Sequence, residues 1–216
     1  MKLSITIPSL PSRTDKLVKL CSKLEKQIPQ GNKDVEILSI VDNKTMSIGR
    51  KRQALFQLAR GQYICQIDDD DDVEDTFIPK VLDTINQTKG EPEVINYYQR
   101  CDIDGDILIV IPSIEYPTND SLQGIENKTK QKVMLRYPWH WCCWRSDIAK
   151  AGFFYDCNSQ EDNLFPRTLQ SIVKKEYTIP EVLVHYIWRT TGTEAPFIHF
   201  DLSKLPVANL KVIENK

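Results

Sequence analysis

The order of apolar segments in the first 90 residues limits the possible folds more than any other feature. Residues 2–7, 35–41 and 62–67 are short and apolar, and each is followed by a segment with apolar residues at every third or fourth position. Strands that alternate with amphipathic helices form a parallel sheet with helices on its faces. The sequence therefore predicts an α/β fold on a mostly parallel sheet with helices on both faces.

Single residues indicate where these elements should end. Pro8 is expected to end the first strand, because proline has no N–H to donate to a neighbouring strand. The second strand, 35–41, is almost continuously apolar, which is typical of strands covered on both faces. Ser47 is placed to cap the second helix, and Gly61 is placed to end it.

The second half of the chain has a different pattern. Residues 94–103 and 106–111 flank Asp104-Gly105, a dipeptide typical of tight turns between antiparallel strands. Residues 112–132 are polar and rich in turn formers, so a mobile loop is expected there, and a last strand is expected at 182–188. Antiparallel strands are thus added to the parallel set.

Length and charge exclude some classes of protein. The chain has 216 residues, with 28 Lys and Arg against 30 Asp and Glu, and a formal net charge of −2. This length suits one substantial core, so residues 1–216 are expected to form a single domain. The even charge balance argues against a surface built wholly for nucleic acid. No stretch approaches the roughly 18 apolar residues of a membrane span, and the N-terminus lacks a signal-peptide pattern, so we expect a cytoplasmic protein without membrane insertion.

The six cysteines show no framework of closely spaced pairs, so all of them are expected to be reduced thiols. His140, Cys142, Cys143 and Cys157 lie near one another in the sequence. They include no C-x2-C pair, and two adjacent cysteines do not readily supply two corners of a tetrahedron. The sequence therefore predicts neither disulfides nor a zinc site.

Acidic residues follow two of the three predicted parallel strands. Asp42 follows the second strand and the run Asp68–Asp72 follows the third, whereas Pro8 and Ser9 follow the first. Because ligands of open parallel sheets bind beyond the carboxyl ends of the strands, these residues are expected to meet in one crevice. Neighbouring carboxylates repel one another unless a cation lies among them, and oxygen ligands favour Mg or Mn. The alternative is a solvated acidic loop that caps the next helix.

A basic segment begins the helix that precedes this acidic run. Arg50, Lys51 and Arg52 follow Gly49 near the N-terminus of the helix, and both guanidinium groups and helix N-termini favour phosphate oxygens. A metal ion and arginines together indicate a diphosphate ligand. Alternatively, the three basic side chains form a solvated helix face.

These segments together resemble family-2 glycosyltransferases with the GT-A fold, including small members of the viral or bacteriophage type. The matching segments are 3–9, 40–42, 48–53 and 59–64, leading into 67–71. The resemblance implies that residues 1–90 bind a nucleotide-diphosphate sugar, most often a UDP-sugar. It implies that residues 91–216 bind the acceptor.

The resemblance also implies roles for single residues of the first half. The base would be held by Pro8, Ser9 and Asp42. Asp68 would lie by the ribose, Asp70 would bind a divalent metal, Mn or Mg, and Arg52 would point toward the nucleotide. The position of Asp69 is variable in such enzymes and implies no role.

Residues 144–149 and 160–163 extend the resemblance to the acceptor side. In the family, the aspartate of a Glu-Asp pair is the catalytic base, which implies this role for Asp162 and contact with acceptor hydroxyls for Glu161. Inversion at an anomeric carbon needs such a base on the face opposite the leaving group. The alternative, from spacing alone, is a capping box in which Ser159 and Asp162 satisfy backbone amides at a helix start.

Two further residues are candidates for substrate binding. His140 is flanked by Trp139 and Trp141 and would line an acceptor pocket, unless it is a buried histidine held by hydrogen bonds. Arg189 begins a segment that would fold over the diphosphate, with Arg189 as its charge. His185 is inside a predicted strand, which favours a structural role, although some relatives use a late histidine as a metal ligand.

The sequence thus predicts an inverting, metal-dependent hexosyl- or pentosyltransferase that acts on an acceptor hydroxyl. The acceptor would be a glycan, a lipid-linked sugar or, as in some viral relatives, a hydroxymethylated DNA base. For DNA, a basic track would run beside the aromatic segment 139–144 and would consist of Lys128, Lys130, Lys132 and Arg136. Two alternatives stay open. A nucleotidyltransferase would need a Gly- and Lys-rich loop that is missing after the first strand, and a non-catalytic module would bind calcium through its acidic loop.

Overall fold

The computed structural model describes residues 1–116, 122–126 and 132–188. In the first part of the chain, the elements are β1 (Leu3–Ser9), α1 (Thr14–Glu25), β2 (Val35–Val41), α2 (Ile48–Leu58), β3 (Tyr63–Gln66), β4 (Asp72–Val73) and α3 (Phe77–Gln87). In the second part, they are β5 (Val94–Ile103), β6 (Asp106–Pro112), β7 (Leu122–Glu126), β8 (Lys132–Arg136), β9 (Cys143–Arg145), α4 (Ser146–Ala151), α5 (Glu161–Leu169) and β10 (Glu176–Trp188).

The strands form one mixed sheet in the order β2-β1-β3-β9-β5-β6-β8-β7, with β10 beside β5 and β4. β1 is parallel to both β2 and β3, whereas β9 is antiparallel to β3 and β5. The α/β class, the parallel first half and the antiparallel additions are therefore as predicted. The carboxyl ends of β1, β2 and β3 meet at one edge of this sheet.

Alternating residues of the central strands face two hydrophobic clusters, as the pleat of a strand requires. Leu3, Ile5 and Tyr63 belong to a cluster with α1 and α3, whereas Ile64 belongs to a second cluster with α2, α4 and α5. Helices thus cover both faces of the sheet, as predicted. In the described part of the chain, none of these helices has the length and apolar character needed to cross a membrane.

The prediction for the end of β1 is wrong, whereas the prediction that β2 is covered on both faces is confirmed in part. β1 does not end at Pro8 but runs to Ser9, because only β2 pairs with it there, with Pro8 opposite Ile40, while the pairing with β3 stops at Thr6. β2 is the edge strand of the sheet, and both of its faces are covered in part, because Ile37 packs against the first cluster and Leu38 against the second. Its last residue, Val41, is 45% exposed.

The prediction for the start of α2 is confirmed, whereas the prediction for its end is wrong. The Ser47 side chain accepts a hydrogen bond from the backbone N–H of Arg50, as an N-cap does. The helix ends at Leu58, before Gly61. A Cβ atom at Gly61 would lie 2.5 Å from the backbone nitrogen of Ser4, so this glycine permits close approach to β1.

The hairpin of β5 and β6 is confirmed, because both turn residues, Asp104 and Gly105, have positive φ values of 50° and 94°. The prediction of an irregular loop over residues 112–132 is wrong in part. β7 lies within this range and pairs antiparallel with β8, with a shift in register between Leu122 and Ile125. Residues 117–121 and 127–131 of the predicted loop lie outside the described residues.

The prediction that all cysteines are reduced is wrong for two of them. Cys65 and Cys143 form a disulfide between β3 and β9, with their Cα atoms 4.4 Å apart. Ile64 is opposite Trp144 in this antiparallel pair, so the two cysteines are the next residues to face each other. Because 78 residues separate them in the sequence, their spacing gave no indication of the pairing.

Candidate active site

A cavity of about 780 Å³ opens at the carboxyl ends of β1 and β3, next to the N-terminus of α2. Six residues predicted from the sequence to be in the site line it: Pro8, Ser9, Arg52, Asp68, Asp70 and Glu161. The rest of the wall includes the loop 44–47, which follows β2, and the segment 157–159, which precedes α5. The convergence of strand ends predicted from the sequence is therefore present.

Lys51 joins the loops after β1 and β2. Its side chain is buried, its Nζ donates to the carbonyl oxygen of Ser9 at 2.8 Å, and it forms an ion pair with Asp42. Asp42 also accepts hydrogen bonds from Thr45 Oγ1 and the Met46 N–H, both at 2.8 Å. The bond from Lys51 holds the pKa of Asp42 well below its usual value. Asp42 thus lies beside the cavity. Lys51, which the sequence analysis named only as part of a basic segment, is a buried link between two loops of the site, and the sequence analysis missed this role.

Arg13 is a second residue that the sequence analysis missed. Its Nη1 lies 2.8 Å from Asp69 Oδ1 and 3.1 Å from Asp70 Oδ2. Asp69 is buried and also accepts a hydrogen bond from Ser9 Oγ at 2.6 Å. Asp69, for which the sequence implied no role, therefore ties the acidic run to the loop after β1.

The five consecutive aspartates do not form a solvated loop. Asp68, Asp69 and Asp70 line the cavity, Asp71 is buried, and Asp72 forms an ion pair with Lys23 at 2.9 Å. Burial raises the pKa of Asp71 well above its usual value, and the negative charges of Asp68 and Asp70 raise it further. The convergence predicted for the acidic run therefore applies to its first three members.

Asp70 is the carboxylate best placed to hold a metal ion. Its side chain is about one-third exposed, at 32%, and faces the cavity. Burial raises its pKa, and so does the nearby charge of Asp68, against the opposite effect of Arg13. Within the ranges that the structure describes, no group of three His, Cys, Asp or Glu side chains could hold a metal. An ion held by Asp70 would need substrate phosphates and water as its other ligands, a ligand set that Mg²⁺ accepts in proteins.

Arg52 links β3 to α5. It is buried, and its Nη2 donates to Asp68 Oδ2 at 3.1 Å while its Nε lies 3.1 Å from Glu161 Oε1. Burial alone would raise the pKa of Asp68, but Arg52 and then His140 hold it well below its usual value. At Glu161 burial prevails over Arg52 and raises the pKa to about 7. Arg52 therefore holds two site carboxylates rather than extending freely into the cavity.

Asp162 does not form the capping box that its spacing allows. The helix begins after Gln160, which has a φ of 70°, and no side chain caps it. The Asp162 carboxylate accepts a hydrogen bond from the backbone N–H of Asn163 at 2.9 Å. It is outside the cavity wall but close enough to Arg52 and Arg136 to affect both electrostatically. The capping alternative is therefore wrong.

His140 is placed differently from both sequence interpretations. It is 1% exposed and therefore does not line a pocket, and neither ring nitrogen has a hydrogen-bond partner within the described ranges. Its Nε2 lies 3.8 Å from Asp68 Oδ2. His185, by contrast, contacts Glu74 at 2.6 Å, consistent with a structural role. Arg189 lies outside the described residues.

The comparison with known protein families identifies the family of the chain. A sequence profile of glycosyl transferase family 2 matches residues 11–144. The chain belongs to this family. The resemblance inferred from the sequence motifs is thereby confirmed, and the fold is of the GT-A type. No curated protein matches the chain by sequence.

Solved structures similar to this family member include residues 1–349 of TarS from S. aureus. The identity is 13% and the TM-score 0.64, over 87% of this chain and 60% of the TarS chain. Two complexes of the same TarS residues are also similar. The complex with UDP-GlcNAc has 12% identity and a TM-score of 0.64, over 88% and 59% of the two chains. The complex with UDP has 13% identity and a TM-score of 0.63, over 87% and 60%. This chain thus spans about 60% of the length of those TarS chains, and the likeness shows the fold.

Proposed function

We propose that this glycosyltransferase moves a sugar from a nucleotide-diphosphate donor, with a UDP-sugar as the first choice, to an acceptor hydroxyl. The supporting observation is the cavity at the carboxyl ends of β1 and β3, which combines basic groups with the carboxylates of Asp68 and Asp70. The TarS complexes with UDP-GlcNAc and UDP support the choice of nucleotide. Family membership favours glycosyl transfer over a nucleotidyltransferase or a calcium-binding module.

The donor would bind with its base near Pro8, Ser9 and Asp42, and its ribose near Asp68. Lys51 supports this arrangement because it fixes the Ser9 carbonyl group and the Asp42 carboxylate together. Arg52 would act on the nucleotide through Asp68, which it holds by a hydrogen bond of 3.1 Å. Residues 1–90 would thus form the donor half of a single domain and residues 91–216 the acceptor half.

Asp70 would hold the divalent metal ion, Mn or Mg, at the diphosphate. A metal ion bound there supplies charge stabilisation for the departing nucleoside diphosphate. Arg13 contacts the same carboxylate and supplies a positive charge of the chain itself at this position. Arg189, predicted to contact the diphosphate, stays a prediction.

Asp162 would be the catalytic base of an inverting reaction. Its carboxylate would take the proton from the acceptor hydroxyl, while the acceptor oxygen forms a bond to the anomeric carbon and the bond from that carbon to the diphosphate breaks. Asp162 is suited to this role because it receives one backbone hydrogen bond and forms no ion pair among the described residues. Glu161, buried against Arg52, would position α5 rather than bind acceptor hydroxyls.

The nature of the acceptor and the cytoplasmic location remain predictions. For a DNA base as acceptor, Trp141 and Trp144 are 2% and 0% exposed, so neither offers a stacking surface. Lys128 and Lys130 of the predicted basic track lie outside the described residues. The observations therefore favour a smaller acceptor, such as a glycan or a lipid-linked sugar.

Calorimetric titration tests the donor and the metal. UDP, UDP-GlcNAc, UDP-glucose and GDP-mannose are titrated into the protein with and without Mn²⁺. We expect the uridine compounds to bind more tightly than GDP-mannose, with an increase in affinity on adding Mn²⁺ that is lost in Asp70→Asn. Asp162→Asn should keep donor affinity and lose at least about 100-fold in transfer rate, the lower end of the contribution of a general base. Failure of every nucleotide to bind, or full transfer activity of Asp162→Asn, would contradict the proposal.

A further inference from the structure

Arg136, the last residue of β8, lies next to the proposed base and has no part in the mechanism above. Its guanidinium lies over the indole of Trp139, with the Cζ atom 3.3 Å from the ring centroid. Its Nη2 donates to Asn163 Oδ1 at 3.0 Å. Asn163 directly follows Asp162 in α5, and the guanidinium is close enough to Asp162 for the two charges to interact.

The charge of Arg136 has no paired anion within the described residues. No carboxylate lies within ion-pair distance of it there, and its Nε is buried without a hydrogen-bond partner. Burial lowers its pKa to about 10, so it remains protonated at neutral pH. Arg136 is half-buried, whereas the buried Arg52 contacts two carboxylates.

This contrast has a physical meaning. Removing a charge from water is costly, so buried guanidinium groups are normally paired with an anion. The stack on Trp139 fixes the plane of the Arg136 guanidinium, and a fixed planar fork recognises carboxylate and phosphate through two parallel hydrogen bonds. A guanidinium without a paired anion beside the base therefore fits an anion that the substrate brings.

We propose that Arg136 binds an acidic group of the acceptor, a phosphate or a carboxylate, close to the hydroxyl that receives the sugar. This inference deepens the proposed function and rests on it. An acceptor held by its acidic group on Arg136 has its hydroxyl directed to the neighbouring Asp162. The site thus selects acceptors that carry a negative charge near the reacting hydroxyl.

A purely structural role for Arg136 makes a different prediction. If the guanidinium only braces Trp139, ligands do not affect its N–H groups, and neutral and charged acceptors are used equally. Arg136→Lys keeps the positive charge and removes the planar fork, while Arg136→Gln removes the charge. Thermal unfolding and UDP affinity are measured for both variants, so that a general loss of folding is recognised.

The first test observes Arg136 by NMR in protein labelled with ¹⁵N-arginine and saturated with UDP, which occupies the donor site. Inorganic phosphate and, separately, acetate are then titrated in. We expect a saturable shift of the Arg136 Nε–H signal, which is assigned by its absence from the spectrum of Arg136→Lys. An unchanged signal with both anions would overturn the inference. Failure of UDP itself to bind would instead contradict the proposed function, whatever the anions do.

The second test compares acceptors that differ in one acidic group. Release of UDP is measured with glycerol 3-phosphate against glycerol, and with glucuronate against glucose. We expect kcat/KM for a charged acceptor to be at least about tenfold higher than for its neutral counterpart. Whether glycerol 3-phosphate or glucuronate has the higher kcat/KM shows whether the site prefers a phosphate or a carboxylate. Arg136→Gln should lose this preference, whereas Arg60→Gln, which removes an exposed charge paired with Glu36, should keep it. Equal loss in both variants would indicate diffuse attraction and overturn the inference. If none of the four compounds is an acceptor, the NMR titration alone decides whether Arg136 binds an anion.

Discussion

Lys51 and Arg52 are adjacent in α2, and both are buried although they carry charge. Neighbouring residues of a helix point in directions about 100° apart, so the two side chains reach different loops. Lys51 contacts the loops after β1 and β2, whereas Arg52 contacts Asp68 after β3 and Glu161 in α5. A single turn of α2 therefore fixes the positions of four segments of the cavity.

Replacing Lys51 with Met should weaken UDP binding at least about tenfold. The substitution keeps much of the apolar stem but leaves the Ser9 carbonyl group and the Asp42 carboxylate without the charge that connects them. Loss of one partner of a buried charged hydrogen bond has a larger effect than loss of a surface ion pair. Calorimetric titration of UDP measures the effect.

Arg50→Met is the matched control for Lys51→Met. Arg50 belongs to the same helix, but its side chain is 61% exposed and lies 4.0 Å from an exposed Asp156. We expect UDP affinity to change less than twofold in this variant. Equal losses in the two variants would show that the charge of the helix, rather than the link made by Lys51, supports nucleotide binding.

Glu161 should make the protein less stable as the pH rises toward neutrality. Burial raises its pKa in the folded state to about 7, above the ordinary value of 4.5, so the folded state holds the proton more tightly than the unfolded state. The contribution of Glu161 to the free energy of unfolding is then fully present below about pH 4.5 and is lost by about pH 7. Relative to Glu161→Gln, the native protein should lose roughly 1–3 kcal/mol over this interval in urea unfolding.

Glu36→Gln provides a control with the opposite sign. Burial alone would raise the pKa of Glu36, but hydrogen bonds from Ser4 and Arg60 prevail and lower it. The contribution of Glu36 to the free energy of unfolding is therefore present above the ordinary pKa and is lost as the pH falls through the lowered pKa of the folded state. If both substitutions change the pH dependence of the free energy of unfolding in the same direction, the pKa values of Glu161 and Glu36 are not shifted in opposite directions.

The elements that the sequence predicts well are those whose signals are local. The cap at Ser47 and the turn at Asp104-Gly105 each depend on neighbouring residues, and both are present. The edge position of β2 and the strand β7 depend on which strands pair, and the sequence pattern carries little information on pairing between distant segments. The same holds for the site. Residues after strand ends and the basic segment 50–52 were predicted, whereas Arg13 and the link that Lys51 makes between two loops became apparent only from contacts with other segments.

Gly61 should be essential for the close packing of β3 on β1. A Cβ atom there would lie 2.5 Å from the Ser4 nitrogen and 2.7 Å from the Leu3 carbonyl carbon, and backbone atoms cannot yield as a flexible side chain can. We expect Gly61→Ala to lower the free energy of unfolding by about 2–4 kcal/mol, at or above the usual range for overpacking. Gly31→Ala is the comparison, because Gly31 has a φ of +80° and nothing within 4 Å of a new Cβ. It should lose only about 1 kcal/mol, through backbone strain alone. If urea unfolding shows the same loss of free energy of unfolding in Gly61→Ala and Gly31→Ala, the packing between β1 and β3 relaxes without cost.

The disulfide between Cys65 and Cys143 joins the half of the chain with the donor cavity to the half with α5. It closes a loop of 78 residues, and cross-links of this span are expected to stabilise a fold by about 2–4 kcal/mol, mainly by restricting the unfolded chain.

Thiol titration of the denatured protein without reductant should find four free thiols, those of Cys21, Cys101, Cys142 and Cys157, and six after reduction. Reductant should lower the free energy of unfolding of the native protein but leave that of the Cys65→Ala/Cys143→Ala variant unchanged. Six thiols before reduction would show that the two sulfurs are not bonded in the isolated protein. Because Cys65 is three residues before Asp68 and Cys143 is three residues after His140, reduction should also weaken UDP binding if the cross-link helps to hold the site together.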